Sequence, residues 1–418
     1  MTAGTNWAGN YAYRASEVQS PGTVEELQEL VSRSPAIRAL GTRHCFNDIA
    51  DTSGVLVSLA AMPAVAEIDE SRSVVTVNAG ARYGELAGAL EPQGWALANL
   101  ASLPHISVAG AVATGTHGSG VGNGSLAAAV TAVELVDAEG ELRRFVRDED
   151  SEFPGTVVAL GALGIVTSLD LRIEPTYEVA QTVFERLPLD AALANFEEIM
   201  GAGYSVSVFT RWRDDVLDQI WVKRRSGDPE LGAELFGALP APEDRHPIPG
   251  MPSVNSTVQQ GVPGPWSARL PHFKMEFTPS AGEELQTEYL LPFKSAVPAL
   301  EAMRGLADRI APLLQTSEIR SIQRDDLWLS PAYEQDSVAF HFTWVQDEAA
   351  VAALLPALEA ALEPFGARPH WGKVFTTSAG RIAELYDRLP DFVRLAERLD
   401  ARGAFRNDYL ERVVFSAV

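Results

Sequence analysis

Hydrophobic and polar positions alternate along the chain in two rhythms, and the switch between them marks the elements. Thr23 and Glu26 have capping-box spacing, and Val24, Leu27, Leu30 and Val31 form one apolar stripe, which predicts a helix in the 20s and early 30s. Residues 37–40 then read as a short strand ending at Gly41, with further strands over 55–59 and 74–77. A helix over 83–90 is expected to stop near Gly94. Segments 131–136 and 141–145 flank Asp137-Ala138-Glu139-Gly140, a hairpin signal, and 164–173 reads as one more strand. Short strands and helices mixed in this way predict an α+β first third.

Near Pro175 the texture changes. Residues 205–209 and 217–223 alternate as strands, and ten of the 26 prolines fall between Pro229 and Pro279, predicting a long irregular excursion. Pro263, Pro265, Trp266 and Phe273 favour an excursion that is ordered and packed. Strand–helix alternation resumes with strands at 288–291, 313–320 and 338–345 and helices at 295–306 and 349–362.

Composition narrows the function classes. The 418 residues carry 33 Lys+Arg against 56 Asp+Glu, a net charge of −23. That sign disfavours general binding to nucleic acid and gives no electrostatic reason to sit on an anionic membrane. A single cysteine, Cys45, excludes an internal disulfide and a cysteine-rich metal site. No signal peptide and no apolar run of membrane-spanning length is seen, so a cytoplasmic protein is expected. No pair among the seven histidines has His-x-His or His-Glu-x-x-His spacing, so no metal is expected.

Four segments could carry chemistry. Residues 107–120 are almost all Gly, Ala, Ser, Thr and Val, a composition that lets backbone approach a ligand and present N–H groups to an anion; a flexible linker is the alternative. On the strand 313–320, Thr316, Glu318 and Arg320 share one face; on 338–345, His341 and Thr343 oppose Phe340, Phe342 and Trp344. This pattern fits a sheet with one face on a core and the other on a polar cavity, or equally a solvated face. His370-Trp371-Gly372-Lys373 offers a lysine that could bind an oxyanion or assist proton removal, or is a surface turn. His44 follows Gly41-Thr42-Arg43 in a turn after a strand, where a lone histidine is often structural, and Cys45 beside it reads as a small buried residue.

Together these segments carry a resemblance. The run from Arg38 to Asp48 resembles the first flavin-binding loop of the vanillyl-alcohol-oxidase-type FAD oxidoreductases, in many of which the histidine of this turn is bonded to the flavin. Residues 110–119 are similar to that family's pyrophosphate-binding segment, and His370-Trp371-Gly372-Lys373 to the His-Trp-x-Lys signature of its aldonolactone oxidase branch. Arg43 and Cys45 depart from the small residue and serine that are commoner there. The resemblance implies an α+β, two-domain FAD-binding (PCMH-type) fold. Residues 1–174, completed by 374–418, would bind FAD, and 175–373 would form a substrate-binding cap of antiparallel sheet and helices.

It further implies oxidation of the terminal primary hydroxyl of a linear polyol, with dioxygen reduced to hydrogen peroxide. Arg320 and Lys373 would stabilise the developing alkoxide and His341 accept the proton, while Ser102, Glu318 and Thr343 bind the remaining hydroxyls and Glu318 counters the Arg320 charge. FAD would be attached through His44 and would meet Gly41, Thr42, Arg43, Cys45, Phe46, Asn47, Ser102 and His370. Backbone N–H groups of the 41–47 turn, of Ser107 and Gly110, and of Thr114, Gly115, Thr116 and His117 would face its pyrophosphate, and the backbone of Ile165 would meet its adenine or ribitol. The competing readings are an aldonolactone oxidase or dehydrogenase on the same scaffold, and a flavin- or carbohydrate-binding protein without turnover.

Overall fold

The computed structural model describes residues 3–63, 66–277 and 283–417. Three short strands, β1 (Glu17–Gln19), β2 (Ile37–Ala39) and β3 (Val55–Val57), form a parallel sheet in the order β1-β3-β2. Helix α1 (Val24–Arg33) connects the first two; Thr23 accepts from the Glu26 N–H, and Leu27, Leu30 and Val31 are buried, as the stripe predicts. A five-stranded sheet follows, ordered β4-β5-β8-β6-β7, from β4 (Ala66–Asp69), β5 (Val74–Asn78), β6 (Val130–Val136), β7 (Leu142–Val146) and β8 (Ile165–Arg172). Helix α2 (Tyr83–Leu90) ends in a 3-10 turn closed by Gly94 at φ +78°.

A nine-stranded sheet takes up the later part of the chain. Its long strands are β9 (Glu178–Pro188), β10 (Ser205–Thr210), β11 (Val216–Arg225), β12 (Glu284–Pro292), β13 (Leu314–Ile322) and β14 (Ser337–Val345), all antiparallel and in the order β9-β11-β10-β13-β14-β12. One face is apolar. Phe340, Phe342 and Trp344 of β14 pack there with Leu300 and Met303 of α3 (Ala296–Arg304) and Leu354, Leu355 and Leu358 of α4 (Glu348–Leu362). The other face is polar, with Glu318 level with His341 and His341 level with Glu288 across β13, β14 and β12.

Sequence patterning misses several elements, among them strands β1, β4 and β9, the helix at Val108–Ala113, two short helices over 189–200, and the C-terminal helices Ala379–Leu385, Leu389–Leu399 and Asp408–Val413. β9, the longest strand, escapes because its polar position Gln181 is buried and bonded to Thr257, so alternation there does not mean alternate exposure. The four-residue β4 is also missed, and Val108–Ala113, expected as loop, is a short helix. The Pro-rich excursion is irregular and packed, with Trp266 fully buried; its residues 278 and 279 lie outside the described residues. The C-terminal segment returns to the first loops. Asn407 Nδ2 donates to the carbonyls of Asp48, Ile49 and Asp51, Phe405 O accepts from Arg38, and the Tyr409 hydroxyl donates to Trp371 O.

Candidate active site

A cavity of about 940 Å³ lies between the loops of the first third and the polar face of the nine-stranded sheet. The 41–46 turn, the 105–117 segment, Glu288, Arg320 and His341 of the sheet, and His370, Gly372 and Lys373 all line it. A concave site of this size suits a large bound ligand.

The turn at 41–47 is pinned from both sides. Arg43 sits in the left-handed region at φ +64°, and its guanidinium reaches back to the carbonyls of Ala3 and Thr5. Asn47 Nδ2 donates to Trp371 O at 2.8 Å and Lys373 O at 2.7 Å, tying this turn to the 370–373 turn. Gly41 and Gly110 both lie against Ser107, whose Oγ would stand 2.6 and 2.7 Å from a Cβ at either position. A side chain at either position would have to push the Ser107 hydroxyl aside, so the glycines let the two segments pack closely. His44 stacks on Trp7 at 5.2 Å between ring centroids. Burial, with the Lys373 charge adding to it, brings His44 down to about 4, and its buried Nδ1 has no hydrogen-bond partner among the described residues. An unpartnered ring nitrogen above a floor of glycines fits a flavin with its pyrophosphate.

Some expected cofactor contacts need correction. The Ser107 N–H donates to Thr42 Oγ1, that of Thr114 to Val112 O, that of Gly115 to Val112 O, that of Thr116 to Ala111 O and that of Phe46 to Gly372 O. These groups are already satisfied, those of Ser107 and Phe46 by neighbouring turns and those of Thr114, Gly115 and Thr116 by the end of the helix they follow. The N–H groups of residues 41–45 have no partner among the described residues. Gly115, Asn47 and Ile165 do not line the cavity: Gly115 faces Pro331, Asn47 acts as the pin described above, and Ile165 is buried in the core beside α1 while its neighbours Gly164 and Val166 reach the wall. The remaining expected residues, Ser102, Glu318, Thr343 and His117 included, do line it.

The polar face centres on Glu288, which the sequence reading does not single out. Its carboxylate takes Arg320 Nη2 at 2.6 Å, and lies 3.1 Å from His117 Nε2 and 3.5 Å from His341 Nδ1. Burial works to raise the Glu288 carboxyl, but Arg320, His117 and His341 outweigh it and hold it well below the usual carboxylate range. Arg320 thus has Glu288 as its close counter-charge, and Glu318, the expected one, stands farther off at 3.7 Å. The signal was present in the alternation Glu284, Gln286, Glu288 on β12, a strand expected to begin only at 288. Burial lowers His341, so its ring is neutral near pH 7, with Nε2 beside Thr343 Oγ1 at 3.2 Å.

Lys373 differs from Arg320 in its partners. Its ammonium bonds the Gln286 amide oxygen and lies 4.9 Å over the Phe46 ring, with no carboxylate of the described residues in contact. Loss of bulk water lowers its affinity for a proton, against the pull of Glu288. His370, brought to about 3 by burial, is neutral, and its Nδ1 accepts from the Gly372 N–H at 3.1 Å, which shapes the turn that presents Lys373. Burial raises the Cys45 thiol to about 11 and keeps it protonated.

Comparison with known proteins agrees with this geometry. Residues 15–145 match the family model for an FAD binding domain, and 278–413 that for D-arabinono-1,4-lactone oxidase. The chain is 52% identical to an alditol oxidase from a Streptomyces species, over 98% of each chain. It is 28% identical to the L-gulono-1,4-lactone dehydrogenase of Mycobacterium tuberculosis, again over 98% of each. Its fold matches that of cholesterol oxidase from Brevibacterium sterolicum with a TM-score of 0.81 at 13% identity, covering 99% of this chain and 96% of that one. No helix among the described residues is long and apolar enough to cross a membrane. With the FAD-binding architecture, the 370–373 turn and this level of identity in hand, the chain belongs to the vanillyl-alcohol-oxidase-type FAD oxidoreductases, in their aldonolactone oxidase branch.

Proposed function

We propose that the protein oxidises the terminal primary hydroxyl of alditols such as xylitol and sorbitol to the aldose while dioxygen is reduced to hydrogen peroxide. The observation that carries this reading is the meeting of Arg320, Lys373, His341 and Glu318 in the same cavity as the His44 turn. The 52% identity to an alditol oxidase supports it. FAD, when bound, supplies the hydride acceptor and passes the electrons to dioxygen. His44 would carry it covalently: a neutral, unpartnered imidazole has a lone pair free for the bond. Residues 1–174 with 374–418 would be the cofactor domain and 175–373 the cap, in a cytoplasmic protein.

The chain's own residues then divide the work. Lys373, with no carboxylate of the described residues in contact, is the cation best able to stabilise alkoxide as the hydroxyl proton leaves. Arg320, held by two carboxylates, contributes less free charge and more fixed direction. His341 faces Glu288 through Nδ1, which leaves Nε2 to take the proton next to Thr343. Ser102, Glu318 and Thr343 line the same wall, and an open-chain polyol needs such a row of hydrogen-bonding groups. A lactone ring would use fewer of them, so a panel of xylitol, sorbitol, glycerol and aldonolactones, read by peroxide release, separates the two chemistries. Faster turnover of lactones than of every alditol would sink this reading. For the linkage, wild-type protein precipitated in acid stays yellow and His44→Ala releases the colour; a colourless wild-type pellet refutes it.

A further inference from the structure

From the cavity wall, which His272 reaches, a chain of buried groups that the reaction above does not use runs inward to Lys223. Lys223, on β11, is 1% exposed. Its ammonium donates to Leu270 O, to Pro271 O at 3.2 Å and to His272 Nδ1 at 3.1 Å. No carboxylate among the described residues touches it. A buried ammonium satisfied only by carbonyls and a ring nitrogen is costly, and an apolar side chain would serve packing better. Because Lys223 has only protons to give, its contact fixes His272 with a bare Nδ1 and a protonated Nε2. That Nε2 lies 2.7 Å from Glu318 Oε1. His272 has little freedom to turn: Trp221 and Phe209 stand edge-on at 5.1 and 5.5 Å, and its backbone N–H donates to Ser102 O.

We propose that Lys223 and His272 are positioning residues that hold the Glu318 carboxylate ionised and aimed at a substrate hydroxyl, and so set the affinity for the polyol rather than the rate of hydride loss. This rests on the polyol reading. One Glu318 oxygen is taken by His272, and the other stands 3.7 Å from Arg320 Nε on the cavity wall. The carboxylate thus has a fixed plane with one edge left for a hydroxyl. Burial alone would raise the Glu318 carboxyl; Arg320 and then His272 hold it below the usual range. The arrangement also ties the Pro-rich excursion to the substrate, since Leu270, Pro271 and His272 all close on Lys223.

A pH dependence follows. Burial brings Lys223 down to about 7, with Glu318 pulling up and Arg320 pushing further down, while His272 falls to about 4 and stays neutral. Across on β9, the side chain level with Lys223 is Gln181, which is uncharged. Lys223 is therefore the group in this relay that changes charge between pH 6 and 8.5. On losing its proton it ceases to support the Glu318 charge through His272.

The test is steady-state oxidation of xylitol by the flavin-loaded enzyme, with flavin content as the check on folding. Lys223→Met and His272→Leu should each raise KM about tenfold, the scale of a weakened hydrogen bond to a charged group, with kcat changed less than about threefold. His272→Gln, whose amide can accept from Lys223 and donate to Glu318, should restore most of the affinity. Wild-type KM should rise between pH 6 and 8.5 and that of Lys223→Met should not. Unchanged KM in both disruptive variants, or a fall in kcat with KM untouched, overturns the proposal. Should Lys223→Met fail to retain flavin, the wild-type profile decides alone, and a flat KM overturns the relay. A wild type that oxidises no polyol overturns the functional reading instead.

Discussion

Replacing Glu288 with Gln removes one negative charge from the centre of the polar face and little else, because the side chain keeps its length and one acceptor oxygen. Arg320 then faces only Glu318, at 3.7 Å, and His117 and His341 lose the carboxylate they stand beside. Opposite charges about 4 Å apart attract by about 4 kcal/mol at an effective permittivity near 20. The remaining amide oxygen recovers about 1 kcal/mol as a neutral acceptor. The net loss of about 3 kcal/mol is at the low end of what breaking a buried ion pair costs. For a folding unit of roughly 190 residues, the span of the nine-stranded sheet, that lowers Tm by about 6–12 °C. Calorimetry at pH 7 on flavin-loaded Glu288→Gln, Arg320→Met and the double variant reads this directly. The double variant strands neither member of the Glu288–Arg320 pair, so its loss should fall short of the sum of the singles by about 2 kcal/mol. The sign with pH is fixed as well. The folded Glu288 carboxyl is held well below its ordinary 4.5, so its contribution is full above that value and fades as pH falls below it; the acid limb of the stability curve should flatten in the variant. Additive losses, or a shift under about 2 °C, would refute the hub assignment.

Two further outcomes test the site. Lys373→Ala and Arg320→Ala should each slow flavin reduction by polyol about 10²-fold in stopped flow, Lys373 the more severely because its charge is less neutralised; near-normal rates contradict the mechanism. Asn47→Ala removes two hydrogen bonds between the 41–47 and 370–373 turns and should cost about 2 kcal/mol in thermal unfolding, with a loss of kcat as Lys373 loosens; unchanged kcat would show that the pin does not position Lys373.

Much of this was legible along the chain, for reasons that differ by residue. Phe340, Phe342 and Trp344 alternate with His341 and Thr343 because one face of β14 meets helices and the other a cavity, and period two reports that directly. Taken alone, His44 and the 370–373 turn read equally well as structural features; what singles them out, with the small-residue segment, is the resemblance carried jointly by the runs 38–48, 110–119 and 370–373. Glu288 was hidden because an acidic residue at an expected strand start looks like surface; only the register that sets it level with His341 gives it meaning. Lys223 and His272 are 49 residues apart, and no spacing rule joins them. The N–H groups of Ser107 and residues 114–116 were misassigned because composition shows that backbone is accessible, not whether a neighbouring carbonyl already holds it.

The clamp on the first loops by the far end of the chain has a consequence for how the protein is made. Asn407 holds three carbonyls of residues 48–51, Arg38 bonds Phe405 O, and Tyr409 fixes the backbone of Trp371. A growing chain presents His44 early, but the surroundings that make its ring neutral and set it over a finished floor require residues 370–373 and 405–409. If His44 carries the cofactor as proposed, attachment is an event of the completed chain, and a nascent chain stalled before residue 405 should emerge without colour.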